Sequence, residues 1–263
     1  MTRILDTGEL RIAYDVAGDG PPLLLMHGAE ATRQMFAALV PLLAPRFTVI
    51  TYDQRDCGET TGPGREATLA DLGHDAHKLL RGLGLRRAHV FGSSFGGRVA
   101  QALAVLHPQG VDRLVLASTW PLPRTYEELC PDAKRLLELR RGLPGTAQEL
   151  ARWFFPEDFL RERPELRTFF AAVRPQSERS VRRTATVATT LDNGIADIAA
   201  PTLLLAAELD RIVPAAITLG MAARIRGADA LLMHGVGHVT AMQAPQLLAS
   251  HITRFLSPER IAP

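Results

Sequence analysis

Cysteine is scarce in this 263-residue chain: Cys57 and Cys130 are its two thiols. Two cysteines build neither a disulfide framework nor a zinc site, and both read as packing residues. No apolar run approaches the roughly 20 residues that cross a membrane, and MTRILDTGEL (1–10) has none of a signal peptide's apolar core. A cytoplasmic protein with no membrane partner is the expectation. An excess of one charge is missing too: 30 Lys and Arg against 28 Asp and Glu leave a formal +2, carried by scattered arginines. That distribution argues against nucleic acid as a partner. There is no internal repeat and no low-complexity tract.

With 46% hydrophobic and 22% charged residues the chain can bury a sizeable core. Its length suits one α/β unit with an inserted segment. ELRIAYDV (9–16) alternates as a half-buried strand does, and GDGPP after it signals a turn. Six runs, 22–28, 47–53, 88–94, 111–118, 201–208 and 228–235, are short and mostly apolar, as strands buried on both faces are. Between them Leu69, Leu72, Ala76, Leu79, Leu80 and Leu83 mark one face of a helix, with Thr68 placed to cap it. Segments 32–43, 95–106, 214–225 and 241–255 read as further helices. Alternating strand and helix predict an α/β fold with a mainly parallel sheet. The alternation stops over residues 120–195, a stretch with helical candidates in PDAKRLLELRR and TAQELARWFF, which reads as a helical lid inserted into the sheet order.

FGSSFGGRV (91–99) fits G-x-S-x-G in one alignment only, with Gly92, Ser94 and Gly96, so Ser94 rather than Ser93 is the candidate nucleophile. A sharp strand-to-helix turn holds such a serine in a strained conformation and requires small residues two before and two after it. A serine hydroxyl is protonated at neutral pH, so it needs a base and a group that orients the base. His238, in a loop after the last expected strand, is the candidate base, with His234 as runner-up. His27, His74, His77, His89, His107 and His251 read as structural. The orienting acid belongs just past a strand end, between serine and histidine in the chain; Asp210 in AAELDRIVP meets that, and Glu208 is the alternative. Backbone N–H groups must also await the developing oxyanion, and those of Phe95 and Ala29 are the candidates.

MHGAE, YDQRDCGET, FGSSFGGRV, ELDRIVP and GVGHVTAMQAP together resemble the α/β-hydrolase fold family over nearly the whole chain. The resemblance implies a mostly parallel central sheet flanked by helices, with a helical lid inserted after the sixth strand: residues 1–119 and 196–263 the core, 120–195 the lid. It implies a hydrolase of ester, lactone, thioester or carbon-carbon bonds without metal or organic cofactor. Serine at the elbow separates the chain from the haloalkane dehalogenase and epoxide hydrolase branches, which use aspartate. ARWFFPEDFLRERPEL (151–166) resembles the lid of 3-oxoadipate enol-lactonases, which implies a small lactone bearing a carboxylate. SERSVRRTATVATTLD, Gln243 and Asp56 depart from the pattern: relatives often carry an acid in place of Gln243 and a glycine in place of Asp56.

Residues 161–190 hold seven arginines (161, 163, 167, 174, 179, 182 and 183) against Glu162, Glu165 and Glu178, an excess of 7 − 3 = +4. One or two facing the pocket would suit a substrate carboxylate. Trp120 and Trp153 could wall the pocket from the lid side or pack the core. The expected function is a cofactor-independent serine hydrolase of a small ester or lactone. The alternatives are a carbon-carbon bond hydrolase of ring-cleavage products, a perhydrolase-like enzyme, and a non-catalytic binding protein of the same fold. The expected partner is a small-molecule substrate, and the sequence carries no reading of oligomeric state.

Overall fold

A computed structural model describes residues 2–171, 177–192 and 194–257. The strands β1 (Arg3–Asp6), β2 (Arg11–Ala17), β3 (Pro22–Met26), β4 (Thr48–Tyr52), β5 (Ala88–Ser93), β6 (Val111–Ala117), β7 (Thr202–Ala207) and β8 (Asp229–Met233) form one sheet. Their order is β1-β2-β4-β3-β5-β6-β7-β8. The pairs β1–β2 and β2–β4 are antiparallel, and β3 to β8 run parallel. Strand alternation decides the two layers. Leu24 and Met26 of β3, Val90 of β5 and Leu114 and Leu116 of β6 point into one apolar cluster. Leu23, Leu25, Phe91, Val115 and Ala117 point into the other.

The helices are α1 (Val40–Leu43), α2 (Leu69–Gly82) and α3 (Phe95–Leu106); then, between β6 and β7, α4 (Tyr126–Leu129), α5 (Ala133–Arg141), α6 (Ala147–Phe154), α7 (Glu157–Glu162), α8 (Glu165–Ala171) and α9 (Glu178–Ala188); and last α10 (Ala215–Gly220), α11 (Thr240–Gln243) and α12 (Pro245–Leu256). α2 and α3 cover one face of the sheet, and α1 and α12 the other. The insertion carries a small core of its own, Ala151, Phe155, Leu160 and Leu166. It also adds Leu136, Leu150 and Trp153 to the cluster beneath it. Among the described residues no helix is long and apolar enough to cross a membrane.

Thr68 caps α2 as its position predicts. Its hydroxyl accepts from Asp71 N–H at 3.2 Å, and the Asp71 carboxylate accepts from Thr68 N–H at 2.8 Å, a reciprocal box that satisfies two orphan donors. Thr68→Ala is therefore expected to lower unfolding free energy by about 1 kcal/mol; an unchanged urea midpoint would refute that role.

Three sequence expectations are corrected, and one strand is added to them. β1 is an additional strand: its four mostly exposed residues form an edge and carry no apolar alternation. β8 is not buried on both faces, because it ends the sheet and leaves Leu231 42% and Leu232 37% exposed. Residues 32–43 form a 3-10 turn, Arg33–Phe36, and the single-turn α1 rather than one helix. Residues 241–255 are split at Pro245, whose ring pushes Ala244 out of the helical region, to φ −138° and ψ 59°.

Candidate active site

Ser94 joins β5 to α3 with φ 56° and ψ −125°, a conformation that costs a non-glycine residue energy and is held by what surrounds it. A Cβ on Gly92 would collide with the carbonyl oxygen of Gly96, and one on Gly96 with that of Met26, so both glycines are sterically required. Ser94 N–H donates to Ala117 O at 2.9 Å, and Thr119 Oγ1 donates to Ser94 O at 2.7 Å. The turn is pinned on both sides of the serine, by the end of β6 and by the residues that follow it. Ser93 is buried, whereas Ser94 stays partly exposed.

The loops after β7 and β8 bring Asp210 and His238 to Ser94. His238 Nε2 lies 2.9 Å from Ser94 Oγ, and Nδ1 lies 3.0 and 2.9 Å from the two oxygens of Asp210. A carboxylate facing Nδ1 keeps the proton there and leaves Nε2 as acceptor for the serine hydroxyl. The Asp210 side chain is fully buried, and its Oδ1 also accepts from Ile212 N–H and Val213 N–H, each at 2.9 Å. Gln243 holds the histidine loop from the other side: its Oε1 accepts from Gly237 N–H at 2.7 Å and its Nε2 donates to Gly235 O at 3.0 Å. The runner-up pair lies elsewhere, since His234, 77% exposed, meets Glu208 at 3.2 Å on the surface.

Phe95 opens α3, where an N–H has no intrahelical acceptor. Gly28 brings the second loop close: a Cβ there would stand 3.6 Å from Ser94 Cβ, and Ala29 is the next residue. Every carbonyl of residues 27–29 is tied. Gln54 Nε2 donates to His27 O at 2.6 Å, His27 Nδ1 donates to Gly28 O at 2.8 Å, and Arg183 Nε donates to Ala29 O at 2.9 Å. His27 Nε2 in turn accepts from Gln54 N–H at 3.1 Å, so the ring is a neutral brace. Burial first, then the nearby Arg183 charge, holds its pKa down to about 3 from the usual 6.5.

Above pH 6.5 neither the folded nor the unfolded His27 is charged, and its stabilising share is fully present; as pH falls toward 3 the unfolded chain gains a proton that the folded chain refuses. Stability should fall in that window at up to about 1.4 kcal/mol per pH unit for this one group. Urea titrations of wild type and His27→Gln test this, and parallel pH slopes would contradict it.

The insertion contributes residues that sequence reasoning passed over. Phe154 packs against His238 in a T-shaped pair, with ring centroids 5.9 Å apart. Trp153, its neighbour, is buried beneath Arg211 at 4.9 Å, and Trp120 packs under Arg98 at 5.2 Å and against Tyr126. Of the arginines counted over 161–190, Arg161, Arg163 and Arg167 pair with Asp158, Glu165 and Glu157 at the surface. Arg174 lies outside the described residues. Arg179 donates to Gly58 O and Thr60 O, and Arg182 pairs with Asp56 at 2.7 Å. Asp56 has φ 62°, the left-handed region that favours glycine, and the Arg182 pair helps hold it there. Arg183 alone of the six described reaches the Ala29 loop. Among the described residues no cluster of three or more His, Cys, Asp or Glu could hold a metal ion.

A family profile described as alpha/beta hydrolase fold matches residues 21–179, and one described as TAP-like protein matches residues 172–261. The chain is 28% identical over 250 residues to the "Putative carbamate hydrolase RutD" of Caulobacter sp. (strain K31), covering 92% of this chain and 93% of that one. A solved hydrolase from Pseudomonas aeruginosa PA01 is 30% identical, with a TM-score of 0.78 over 97% of this chain and 98% of that one. A thermophilic esterase from Thermogutta terrifontis, solved with malate bound, is 26% identical, with a TM-score of 0.79 over the same two shares, 97% and 98%. With the first profile spanning more than half of its residues, this chain is a hydrolase of the alpha/beta hydrolase fold family.

Proposed function

We propose that the protein is a serine hydrolase that cleaves a small ester or lactone through an acyl-enzyme, using only its own side chains and backbone. Ser94 Oγ attacks the carbonyl carbon while His238 Nε2 takes its proton, and Asp210 fixes the imidazole and stabilises its charge. The new oxyanion is held by Phe95 N–H and Ala29 N–H. As the carbon–oxygen bond breaks, His238 returns the proton to the leaving alkoxide, which in a lactone stays tethered to the acyl group. Water, deprotonated by the same nitrogen, then attacks the acyl-enzyme and restores Ser94.

The observation that carries this reading is the unbroken contact from Asp210 through His238 to Ser94 on a strained turn. The names of the relatives, esterase and carbamate hydrolase, are both compatible with acyl transfer of this kind. A panel of 4-nitrophenyl acetate, an enol-lactone and a vinylogous diketone tests it. Turnover of the ester or lactone is expected, and a preference for the diketone by orders of magnitude would replace this reading with carbon-carbon bond hydrolysis. Tight stoichiometric binding without turnover would replace it with a binding protein.

A further inference from the structure

Away from the triad, four guanidinium groups gather around one small cavity. Arg55 and Arg65 reach it from the loop after β4, and Arg179 and Arg182 from α9 of the insertion. Its volume is about 140 Å³, and Asp56 is the one acid in its wall. None of the residues lining it belongs to the triad or carries a candidate oxyanion donor.

The charges around the cavity do not balance. Glu9 pairs with Arg55, Arg65 and Lys78, Asp75 with Arg55, Asp71 with Arg65, and Asp56 with Arg182. Four carboxylates thus serve four cations, and Arg179 is left over. Its Nη2 donates to two neutral acceptors, Gly58 O at 3.1 Å and Thr60 O at 2.9 Å, and among the described residues it has no ion pair. Glu178, 3.8 Å from Arg182, is 97% exposed, so water and salt screen its charge. Spare donors accompany the spare charge. Nη1 of Arg55, Nε and Nη1 of Arg179 and Nη1 of Arg182 have no hydrogen-bond acceptor among the described residues, and none of them is sealed from solvent.

Like charges gathered this closely repel, and an anion among them removes the repulsion. We propose that the cavity binds a phosphate group, either inorganic phosphate or the end of a phosphomonoester. Donors approach from two elements, the loop after β4 and α9, which suits a tetrahedral oxyanion; a planar carboxylate is satisfied by one guanidinium fork. The cavity is smaller than the roughly 300 Å³ of pockets that enclose a drug-sized ligand, so it takes the headgroup and leaves any remainder in solvent. Because its donors belong to both the core and the insertion, the bound group ties the two together.

Calorimetry on the whole chain at constant ionic strength tests this. Inorganic phosphate should bind once per chain, and at ten times its Kd it should raise the thermal unfolding midpoint by about 3 °C. Acetate should bind at least about tenfold more weakly. Arg179→Met should weaken phosphate binding about 10- to 100-fold, the loss of a charge-assisted hydrogen-bonded contact. Arg161→Met, which removes an exposed arginine of α7 instead, should leave it within about twofold. Glycerol 3-phosphate separates the two sources: tighter binding than phosphate assigns the site to a phosphomonoester, and weaker binding assigns it to the free ion. No heat from wild type up to about 10 mM phosphate would overturn the proposal. So would equal binding of acetate, or phosphate binding unchanged in Arg179→Met. The wild-type comparison of phosphate with acetate stands whether or not Arg179→Met folds. No arm depends on turnover, so the outcome is independent of the serine-hydrolase reading.

Discussion

Ser94→Ala is expected to lower kcat by about 10⁶ on every substrate that the wild type cleaves, because removing the nucleophile of a cooperating triad costs nearly as much as removing the whole triad. The change deletes one oxygen. It leaves the Gly92 and Gly96 contacts and the bond from Ser94 N–H to Ala117 O intact, so the fold and the substrate site should survive. KM should then change little, and the residual rate over water should come from the oxyanion donors and binding alone. The check is steady-state kinetics on freshly purified variant, with thermal unfolding showing it folded. A rate within about tenfold of wild type would mean that the chemistry is done elsewhere.

Asp210→Asn is expected to cost about 10⁴ in kcat, and hydrogen bonding gives the reason. Oδ1 of Asp210 accepts from the Ile212 and Val213 N–H groups, whereas Oδ2 faces only His238 Nδ1. An asparagine must present its carbonyl oxygen to the two backbone donors, which turns its amide NH2 toward Nδ1. The ring then holds its proton on Nε2 and donates to Ser94 instead of accepting from it, and the base is lost without any displacement of atoms. Glu208→Gln, by contrast, alters only surface contacts, with His234 and with the Gly235 N–H, and should leave kcat within about twofold. Equal effects of the two substitutions in kinetic assays would refute the assignment of Asp210 over Glu208.

The elbow was legible because steric need dictates it: only glycine fits at 92 and 96, and the spacing of those glycines singles out Ser94. Asp210 and His238 were legible for a topological reason, since parallel strands deliver their following loops to one edge of the sheet. The insertion was legible only as helices. Arg179, Arg182 and Arg183 lie on one short helix, and which of them turns inward depends on how α9 rotates against the β4 loop. Composition could count the positive charges over 161–190 but not assign Arg183 to Ala29. Phe154 was missed for a similar reason: Trp153 is the larger ring, yet it points into the buried cluster while its neighbour meets His238. β1 was missed because an exposed four-residue edge strand has no apolar pattern to read.

Ser94 as a nucleophile activated by His238 is the claim on which the rest depends, and labelling with a fluorophosphonate, followed by intact-protein and peptide mass spectrometry, tests it most directly. One adduct per chain is expected, located on Ser94, absent from Ser94→Ala and formed far more slowly in His238→Ala. An unlabelled wild type, or an adduct located on Ser93, would contradict it.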